Sequence, residues 1–286
     1  MLKQRVITAL ALSAAFLLAL TAASPLYFIA FSSLVILLAT WECAALAGLR
    51  ALPVRLAYLA LQALLMGWLF FGAGIGVGDV ATLLSLPPAS LALLYFSPLF
   101  WLLFFFSLLI FSPQRLLSCA AFFRAVIGAL LLLSAWLALL YLRLQPQGQW
   151  WIVYLVALVA ATDSGAYFAG RRWGEKKLAP QLSPGKTWAG FFGGLLAAIL
   201  LALLFALWLF PLNAVAVPPL WLFVGVAIDL AILSVLGDLF ESLLKRSAGV
   251  KDSGSILPGH GGVMDRIDGL LASLPAFALI TIIFSW

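Results

Sequence analysis

Long apolar segments separated by short polar ones make up most of the sequence. Most of them are roughly 20 residues long, the length that an α-helix needs to cross a hydrocarbon core about 30 Å thick. Runs of this length between prolines, glycines and clustered charges predict helices rather than strands. The pattern predicts about nine transmembrane helices, at 6–23, 26–48, 56–77, 89–112, 125–142, 149–170, 187–210, 219–244 and 267–285.

The first predicted helix shares features with a signal peptide. Lys3 and Arg5 precede an apolar run from Val6 to Ala23. The apolar region of a signal peptide has about 7–15 residues, so this longer run is expected to be retained as a helix. We expect a single membrane domain over 1–286, with N-terminal helices in about 1–145 and the catalytic helices and cytoplasmic motif loops in about 146–286.

The basic residues test the helix count independently. If the helices alternate in direction, all of the 16 lysines and arginines except Arg143 fall on one side of the membrane. Cytoplasmic loops are enriched in basic residues. We therefore predict a cytoplasmic N-terminus and a C-terminus on the opposite side.

Composition excludes a soluble fold. Hydrophobic residues make up 65% of the chain and charged residues 9%, whereas soluble domains are about 45–50% apolar and about 25% charged. The net charge is +6, but the basic residues lie between apolar spans rather than along one continuous surface. This distribution argues against a nucleic-acid partner. Cys43 and Cys119 lack metal-binding spacing and are expected to be small buried hydrophobic side chains.

Acidic residues are concentrated in the C-terminal half, where we expect the chemistry. Four polar residues of the eighth predicted helix have the spacing i, i+3, i+4, i+7 and so share one face: Asp238, Glu241, Ser242 and Lys245. Ionised side chains within a bilayer cost at least a few kcal/mol each. This face must therefore line a wet cavity or meet opposite charges.

A glycine-rich loop from Gly254 to Gly262 follows. Its backbone can approach a ligand closely and offer N–H donors to phosphate. Asp265 and Asp268 then lie one turn apart near the start of the last helix. Together with Asp238 they would form an oxygen-only ligand set suited to Mg²⁺. Four nearby cations would bind phosphates: Lys245, Arg246, Lys251 and Arg266.

Acidic metal ligands beside a basic cluster at a membrane surface indicate phosphoryl or nucleotidyl transfer to a lipid headgroup. The alternative is that the basic residues only set topology and the acids only pair with them. That reading leaves three membrane-embedded or juxtamembrane aspartates without a reason to be there. We therefore expect an enzyme.

The dense polar segment reads Ser242-x-x-Lys245-Arg246, four further residues, then Lys251-Asp252-x-Gly254-x-x-Leu257-Pro258-Gly259-His260-Gly261-Gly262-x-x-Asp265-Arg266-x-Asp268. This stretch closely resembles the signature of the phosphatidate cytidylyltransferase family. The stretches from Asp163 to Arg171 and from Lys177 to Gly190 are similar to the family's other cytoplasmic motif region. Within that region, Gly185 stands where members of the family often have a basic residue, and Ala189 stands where many have a polar or acidic one. Glu42 resembles a recurrent family feature, with packing as the equal alternative.

The resemblance implies an enzyme that converts CTP and phosphatidic acid to CDP-diacylglycerol and pyrophosphate. It implies Mg²⁺, and a monovalent cation such as K⁺ in a paired site. It also implies a homodimer in the cytoplasmic membrane of a bacterium, with the active site facing the cytoplasm.

The candidate site residues fall into three groups. The catalytic candidates are Asp238, Lys245, Arg246, Lys251, Asp252, Asp265 and Arg266. The substrate-binding candidates are Asp163, Ser183, Lys186, Thr187, Ser242 and His260, of which Ser183, Lys186 and Thr187 would contact either the nucleotide or the lipid phosphate. His260 could donate to a phosphate or only shape the loop. The metal-ligand candidates are Asp238, Asp265 and Asp268.

Three other functional classes compete with this interpretation. A transporter would explain charges inside the membrane, but it does not call for a glycine-rich loop flanked by phosphate-binding cations. A CDP-alcohol phosphotransferase would carry an Asp-Gly motif with two further aspartates on consecutive helical turns. This motif is missing here. A CTP-dependent lipid kinase is the nearest enzymatic alternative, because it could use similar groups with a lipid alcohol as acceptor.

Overall fold

The computed structural model describes residues 13–21, 25–72, 87–112, 115–116, 120–215, 217–257 and 259–284. Several predictions concern residues outside these ranges: Lys3, Arg5, Cys119, Pro258 and the predicted helical residues 6–12, 22–23, 73–77 and 285.

The described residues form a bundle of long helices with one small hairpin. Residues 13–21 are helical. The elements that follow are α1 (Pro25–Ala47), α2 (Leu52–Gly72), α3 (Pro88–Ile110), α4 (Ala121–Leu144), α5 (Gly148–Trp173), β1 (Lys177–Ala179), β2 (Ser183–Thr187), α6 (Trp188–Leu204), α7 (Leu220–Ala248) and α8 (Met264–Phe284). α6 continues through a π-helical turn, Phe205–Leu209, and a short turn, Phe210–Leu212.

Within the described ranges, eight helices are long and apolar enough to cross a membrane. They match the second to ninth predicted helices, with ends that differ by a few residues. The sequence-based prediction of an all-α, multi-pass membrane protein is confirmed. A membrane-spanning helix satisfies its own backbone hydrogen bonds, which explains why apolar length alone located these elements.

Polar contacts bring several helix ends together at one end of the bundle. Arg55, in the first turn of α2, and Arg124, in the first turn of α4, donate to carbonyls in the last two turns of α1, at 3.0 and 3.2 Å. At the other end, the Arg143 guanidinium lies 5.8 Å from the centre of the Phe28 ring. α1 and α4 are therefore antiparallel, with Arg143 at the end opposite to Arg55 and Arg124.

Small residues allow close contacts between helices. A Cβ atom at Gly193 of α6 would overlap Ala169 of α5, and one at Gly128 of α4 would overlap the Cys43 sulfur of α1. Close backbone approach at small residues is a common way for membrane helices to associate. Cys43 is buried, as predicted.

An aromatic cluster fixes the part of α7 that carries the acidic residues. The Phe240 ring contacts Phe100, Trp101 and Phe104 of α3 edge to face, with ring centroids 5.4–5.6 Å apart. Such aromatic pairs add stabilisation beyond the area that they bury. Because Phe240 lies between Asp238 and Glu241 in the sequence, its contacts fix the rotation of this turn of α7.

Candidate active site

α7 and α8 bring three acidic side chains together. One carboxylate oxygen from each of Asp238, Glu241 and Asp268 lies within 4.8 Å of the other two. The two helices approach closely because Gly237 has no side chain: a Cβ atom there would overlap the Asp268 carbonyl. We call Asp238, Glu241 and Asp268 the acidic cluster.

The acidic cluster fits a divalent cation. Carboxylate oxygens are the ligands that Mg²⁺ prefers. Glu241 is only 1% exposed, and its Oε1 atom is buried and accepts no hydrogen bond from any described residue. A buried carboxylate oxygen is costly unless a donor or a cation meets it. The donor set and this unpartnered oxygen together indicate a cation-binding site.

Lys245 connects the acidic cluster with the glycine-rich loop. Its ammonium group donates to Glu241 Oε2 at 2.6 Å and to Asp265 Oδ1 at 2.7 Å. All three side chains are largely withdrawn from water. Each charge therefore depends on the others for compensation.

Asp265 orders the glycine-rich loop. Its Oδ2 atom accepts hydrogen bonds from the N–H groups of Ser253 and Gly262, both at 2.9 Å, and lies 3.0 Å from the Ser253 hydroxyl. Since Lys245 occupies Oδ1, both carboxylate oxygens are engaged. The structure thus brings Asp238 and Asp268 together with Glu241, and turns Asp265 towards the loop. A metal-binding role of Asp265 stays a prediction.

Glu42 links α1 to the start of α8. It is 2% exposed, and its carboxylate accepts hydrogen bonds from the N–H groups of Val263 at 3.1 Å and Met264 at 2.8 Å, and from the Ser253 hydroxyl at 3.0 Å. An acid at a helix N-terminus satisfies free N–H groups and complements the helix dipole. A lone acid in an apolar helix was its only local signal in the sequence, and that signal does not identify its partners.

Glu42→Gln is expected to lower the free energy of unfolding by about 1–3 kcal/mol, the range for leaving buried hydrogen-bonding groups unsatisfied. The amide keeps the shape of the side chain, but its NH₂ group would face N–H donors instead of accepting from them. Thermal unfolding in detergent measures the stability loss, and hydrogen exchange over residues 251–264 measures the loosening of the loop.

The exposed acid Glu175, in the turn after α5, offers a matched control. Glu175→Gln should leave stability and loop exchange unchanged. If Glu42→Gln behaved in the same way, Glu42 would not anchor the loop.

The β1–β2 hairpin brings the second motif region to the acidic cluster. Lys186 of β2 forms a salt bridge with Asp238, at 2.8 Å. Arg246 of α7 donates to the Leu182 carbonyl at 3.3 Å, which ties the hairpin to α7.

The other two candidates of the hairpin have different surroundings. The Thr187 side chain is buried and accepts from the Gly190 N–H at 3.1 Å, so it caps α6. Ser183 is half-buried at the start of β2. Of the three hairpin candidates, Lys186 is therefore the one that reaches the acidic cluster.

Two more candidates lie beside Asp238. Ser242 donates its hydroxyl to Asp238 Oδ1 at 3.3 Å, which confirms that these residues share a helical face. Asp163 is exposed on α5 and interacts electrostatically with Asp238, Lys186 and Arg266. α5 therefore adds a further acid next to the acidic cluster.

The glycine-rich loop is closed by main-chain contacts. Leu257 and Gly261 form an antiparallel bridge, and Gly261 has a φ of +83°, which favours glycine. The His260 N–H donates to the Leu257 carbonyl, and the Arg266 side chain donates to the His260 carbonyl, both at 2.9 Å. Lys251 and Asp252 are exposed where the loop begins. Exposed charged side chains therefore lie just before the glycine-rich loop, beside the buried network.

The sequence of the chain is similar to those of known proteins along its whole length. A model of the cytidylyltransferase family matches residues 3–284. The phosphatidate cytidylyltransferase of Pseudomonas aeruginosa is 37% identical over 303 aligned positions that cover 100% of this chain and 99% of the relative. That of Haemophilus influenzae is 37% identical over 97% of this chain and 98% of its own. That of Brucella suis is 48% identical over 49% of this chain and 50% of its own.

Proposed function

The chain belongs to the cytidylyltransferase family, and we infer from this membership that it converts CTP and phosphatidic acid to CDP-diacylglycerol and pyrophosphate. It is a multi-pass membrane enzyme of phospholipid biosynthesis. One observation of the structure supports this inference. The acidic cluster, its cations and the glycine-rich loop lie together near the end of α7 and the start of α8.

The reaction joins two anions. A phosphate oxygen of phosphatidic acid attacks the α-phosphorus of CTP, the bond from that phosphorus to the bridging oxygen breaks, and pyrophosphate leaves. The lipid supplies the nucleophile, so the protein needs none. Its task is to hold the reactants in line and to offset the repulsion between their charges.

Asp238, Glu241 and Asp268 would hold Mg²⁺. When bound, the ion supplies positive charge where the phosphates of CTP and lipid meet. A monovalent cation such as K⁺ would share these carboxylates in a paired site. The proposal is supported by the oxygen-only donor set and by the unpartnered Oε1 atom of Glu241.

The basic residues around the acidic cluster would bind the phosphates of the two substrates. Arg246, Lys251 and Arg266 are exposed there, and Lys186 reaches Asp238 from the hairpin. Arginine can contact phosphate through two N–H groups at once. Lys245 already forms ion pairs with Glu241 and Asp265. It would therefore act by fixing the position of the loop relative to the acidic cluster.

The end of the bundle that holds the acidic cluster would face the cytoplasm of a bacterium, across its cytoplasmic membrane. Arg55, Arg124 and Lys251 belong to this end, which agrees with the enrichment of basic residues in cytoplasmic loops. CTP would then reach the site from the cytoplasm. We also propose a homodimer with an active site in each subunit.

Transfer of label from CTP tests the reaction. Detergent-purified protein with phosphatidic acid, Mg²⁺ and CTP labelled at the α-phosphate should yield labelled lipid, whereas CTP labelled at the γ-phosphate should not. A chelator should stop the reaction. Label from the γ-phosphate, with diacylglycerol as acceptor, would instead identify a lipid kinase, and no labelled lipid from either nucleotide would refute both functions.

A further inference from the structure

Basic and aromatic side chains are exposed together where α5 ends, just before the hairpin. Arg171 and Arg172 in the last turn of α5 and Lys176 in the segment that follows are all exposed. Phe168 and Trp173 lie among them, with 69% and 68% of their surface exposed. We call these five residues the interfacial patch.

The length of α5 places the interfacial patch at the surface of the bilayer. α5 is one of the helices able to cross a membrane, and it begins at Gly148, at the end of the bundle opposite to the acidic cluster. At a rise of about 1.5 Å per residue, Phe168 lies about 30 Å and Trp173 about 38 Å along the helix. The hydrocarbon core is about 30 Å thick, and the headgroup regions extend the bilayer to about 40–45 Å. The cations of the patch therefore lie at the level of lipid headgroups.

The cations of the patch have no acidic partner within the described part of the chain. The salt bridges found there use Lys186 and Lys245 instead. Arg171 donates to the hydroxyl of Tyr167 at 3.2 Å, and that hydroxyl is a neutral group. The charges of the patch are therefore available to anions from outside the protein.

The combination of side chains in the patch is typical of a surface that contacts anionic lipid. Aromatic residues are enriched where a membrane protein meets the headgroup region. Basic residues beside a membrane helix attract anionic headgroups, and each one strengthens binding roughly fivefold. At this depth the rings can contact acyl chains while the cations contact headgroup phosphates. A soluble nucleotide offers only the second kind of partner.

The end of α5 is packed against the strand that carries Lys186. A Cβ atom at Gly174, the residue after α5, would overlap the Thr187 side chain of β2. The Trp188 N–H donates to the Lys176 carbonyl at 3.0 Å. Lys186 precedes Thr187 in β2 and reaches the acidic cluster through its salt bridge. A ligand that holds the interfacial patch would therefore also restrain Lys186.

We propose that the interfacial patch binds the headgroups of anionic phospholipids other than the substrate, and that this binding activates the enzyme by fixing the hairpin. The second part rests on the proposed function, because its readout is the reaction. Lys186 would be held at the acidic cluster, where its charge offsets those of the reacting phosphates. Phosphatidylglycerol is the probe of choice: it is anionic, but its phosphate is esterified on both sides, so it cannot replace phosphatidic acid as the acceptor.

Rates in nanodiscs test the activation. Nanodiscs of phosphatidylcholine, with and without phosphatidylglycerol, would carry the same share of phosphatidic acid and receive saturating CTP and Mg²⁺. The wild type should turn over about fivefold faster or more with phosphatidylglycerol, the lower end for coupling between two sites. The neutral variant Arg171→Gln/Arg172→Gln/Lys176→Gln should have one rate in both, equal to that of the wild type without phosphatidylglycerol.

Two matched variants separate the charge of the patch from other effects. Arg171→Lys/Arg172→Lys/Lys176→Arg keeps every charge and should respond to phosphatidylglycerol as the wild type does. Arg50→Gln removes an exposed basic residue between α1 and α2, at the same end of the bundle, and should also respond normally.

Photolabelling tests binding without turnover. Phosphatidylglycerol with a photoreactive group next to its headgroup should label the wild-type peptide that contains residues 168–176. The neutral variant should be labelled at least about tenfold less, since each of its three lost cations strengthens binding roughly fivefold. Added phosphatidylglycerol should compete with the label, and added phosphatidylcholine should not.

Three results would overturn the proposal: equal wild-type rates in both kinds of nanodisc, a neutral variant that keeps the response, or labelling that misses residues 168–176. Competitive inhibition by phosphatidylglycerol would show that the patch loads the substrate, which also overturns it. So would a raised KM for CTP in the neutral variant with an unchanged lipid response, because the patch would then bind nucleotide.

Failure of the proposed function would look different. Wild-type protein that formed no liponucleotide in any nanodisc would refute that function, and labelling alone would then decide whether the patch binds anionic lipid.

Discussion

Asp238→Asn is expected to weaken Mg²⁺ binding and to lower kcat for CMP transfer by about 10³-fold, the upper range for removing one group that stabilises transition-state charge. Asp238 contributes an oxygen to the acidic cluster, and it also pairs with Lys186 and accepts from Ser242. The amide keeps the size of the side chain but removes the charge. Lipid labelling from α-labelled CTP measures the rate, and calorimetric titration with Mg²⁺ measures binding without turnover.

Asp229 offers a matched control on the same helix. It lies nine residues before Asp238, which places it on the opposite face of α7, and it is exposed. Asp229→Asn should bind Mg²⁺ and turn over like the wild type. If Asp238→Asn bound Mg²⁺ as tightly as Asp229→Asn does, the acidic cluster would not be the metal site.

Lys245→Met is expected to lower the free energy of unfolding by about 3–5 kcal/mol, the cost of removing one partner from a buried ion pair. Methionine has a similar length but no charge, and it would leave two carboxylates without their cation. These are Glu241, whose side chain is 1% exposed, and Asp265, at 8%. Thermal or denaturant unfolding in detergent measures the change.

A double variant tests the cause of this loss. Lys245→Met combined with Glu241→Gln should be more stable than the sum of the single changes predicts, because the second substitution removes a charge that the first left unpaired. Lys177→Met, at an exposed position of β1, controls for the loss of a lysine. Strict additivity of the two single changes would show that Lys245 and Glu241 are not coupled.

Parts of the candidate site could be predicted from the spacing of polar residues along a helix. The face that carries Asp238, Ser242 and Lys245 follows from positions one and two turns apart on a helix, and its contacts confirm it. Glu241 belongs to the same face, so its spacing from Asp238 was the available signal for its place in the acidic cluster. The glycine-rich loop was likewise visible in the sequence.

Glu42 shows why the rest could not be predicted. Its hydrogen bond to Met264 joins residues 222 positions apart in the chain. Helical periodicity relates residues within a few turns, so it cannot indicate which helix meets which loop. The contacts of Asp265 could not be predicted for the same reason. Asp265 contacts Ser253 and Lys245 because the loop folds back over α7.

The sequence by itself determined that this chain crosses a membrane many times and carries its polar motifs between and near the ends of helices. Bilayer thickness and the need to satisfy backbone hydrogen bonds act on each segment separately, so length and hydropathy suffice. Only the tertiary structure decided that Glu241 joins Asp238 and Asp268, while Asp265 turns to Lys245 and the loop. That arrangement depends on the close approach of α7 and α8 at Gly237, and contacts between helices are set by the shapes of both surfaces together.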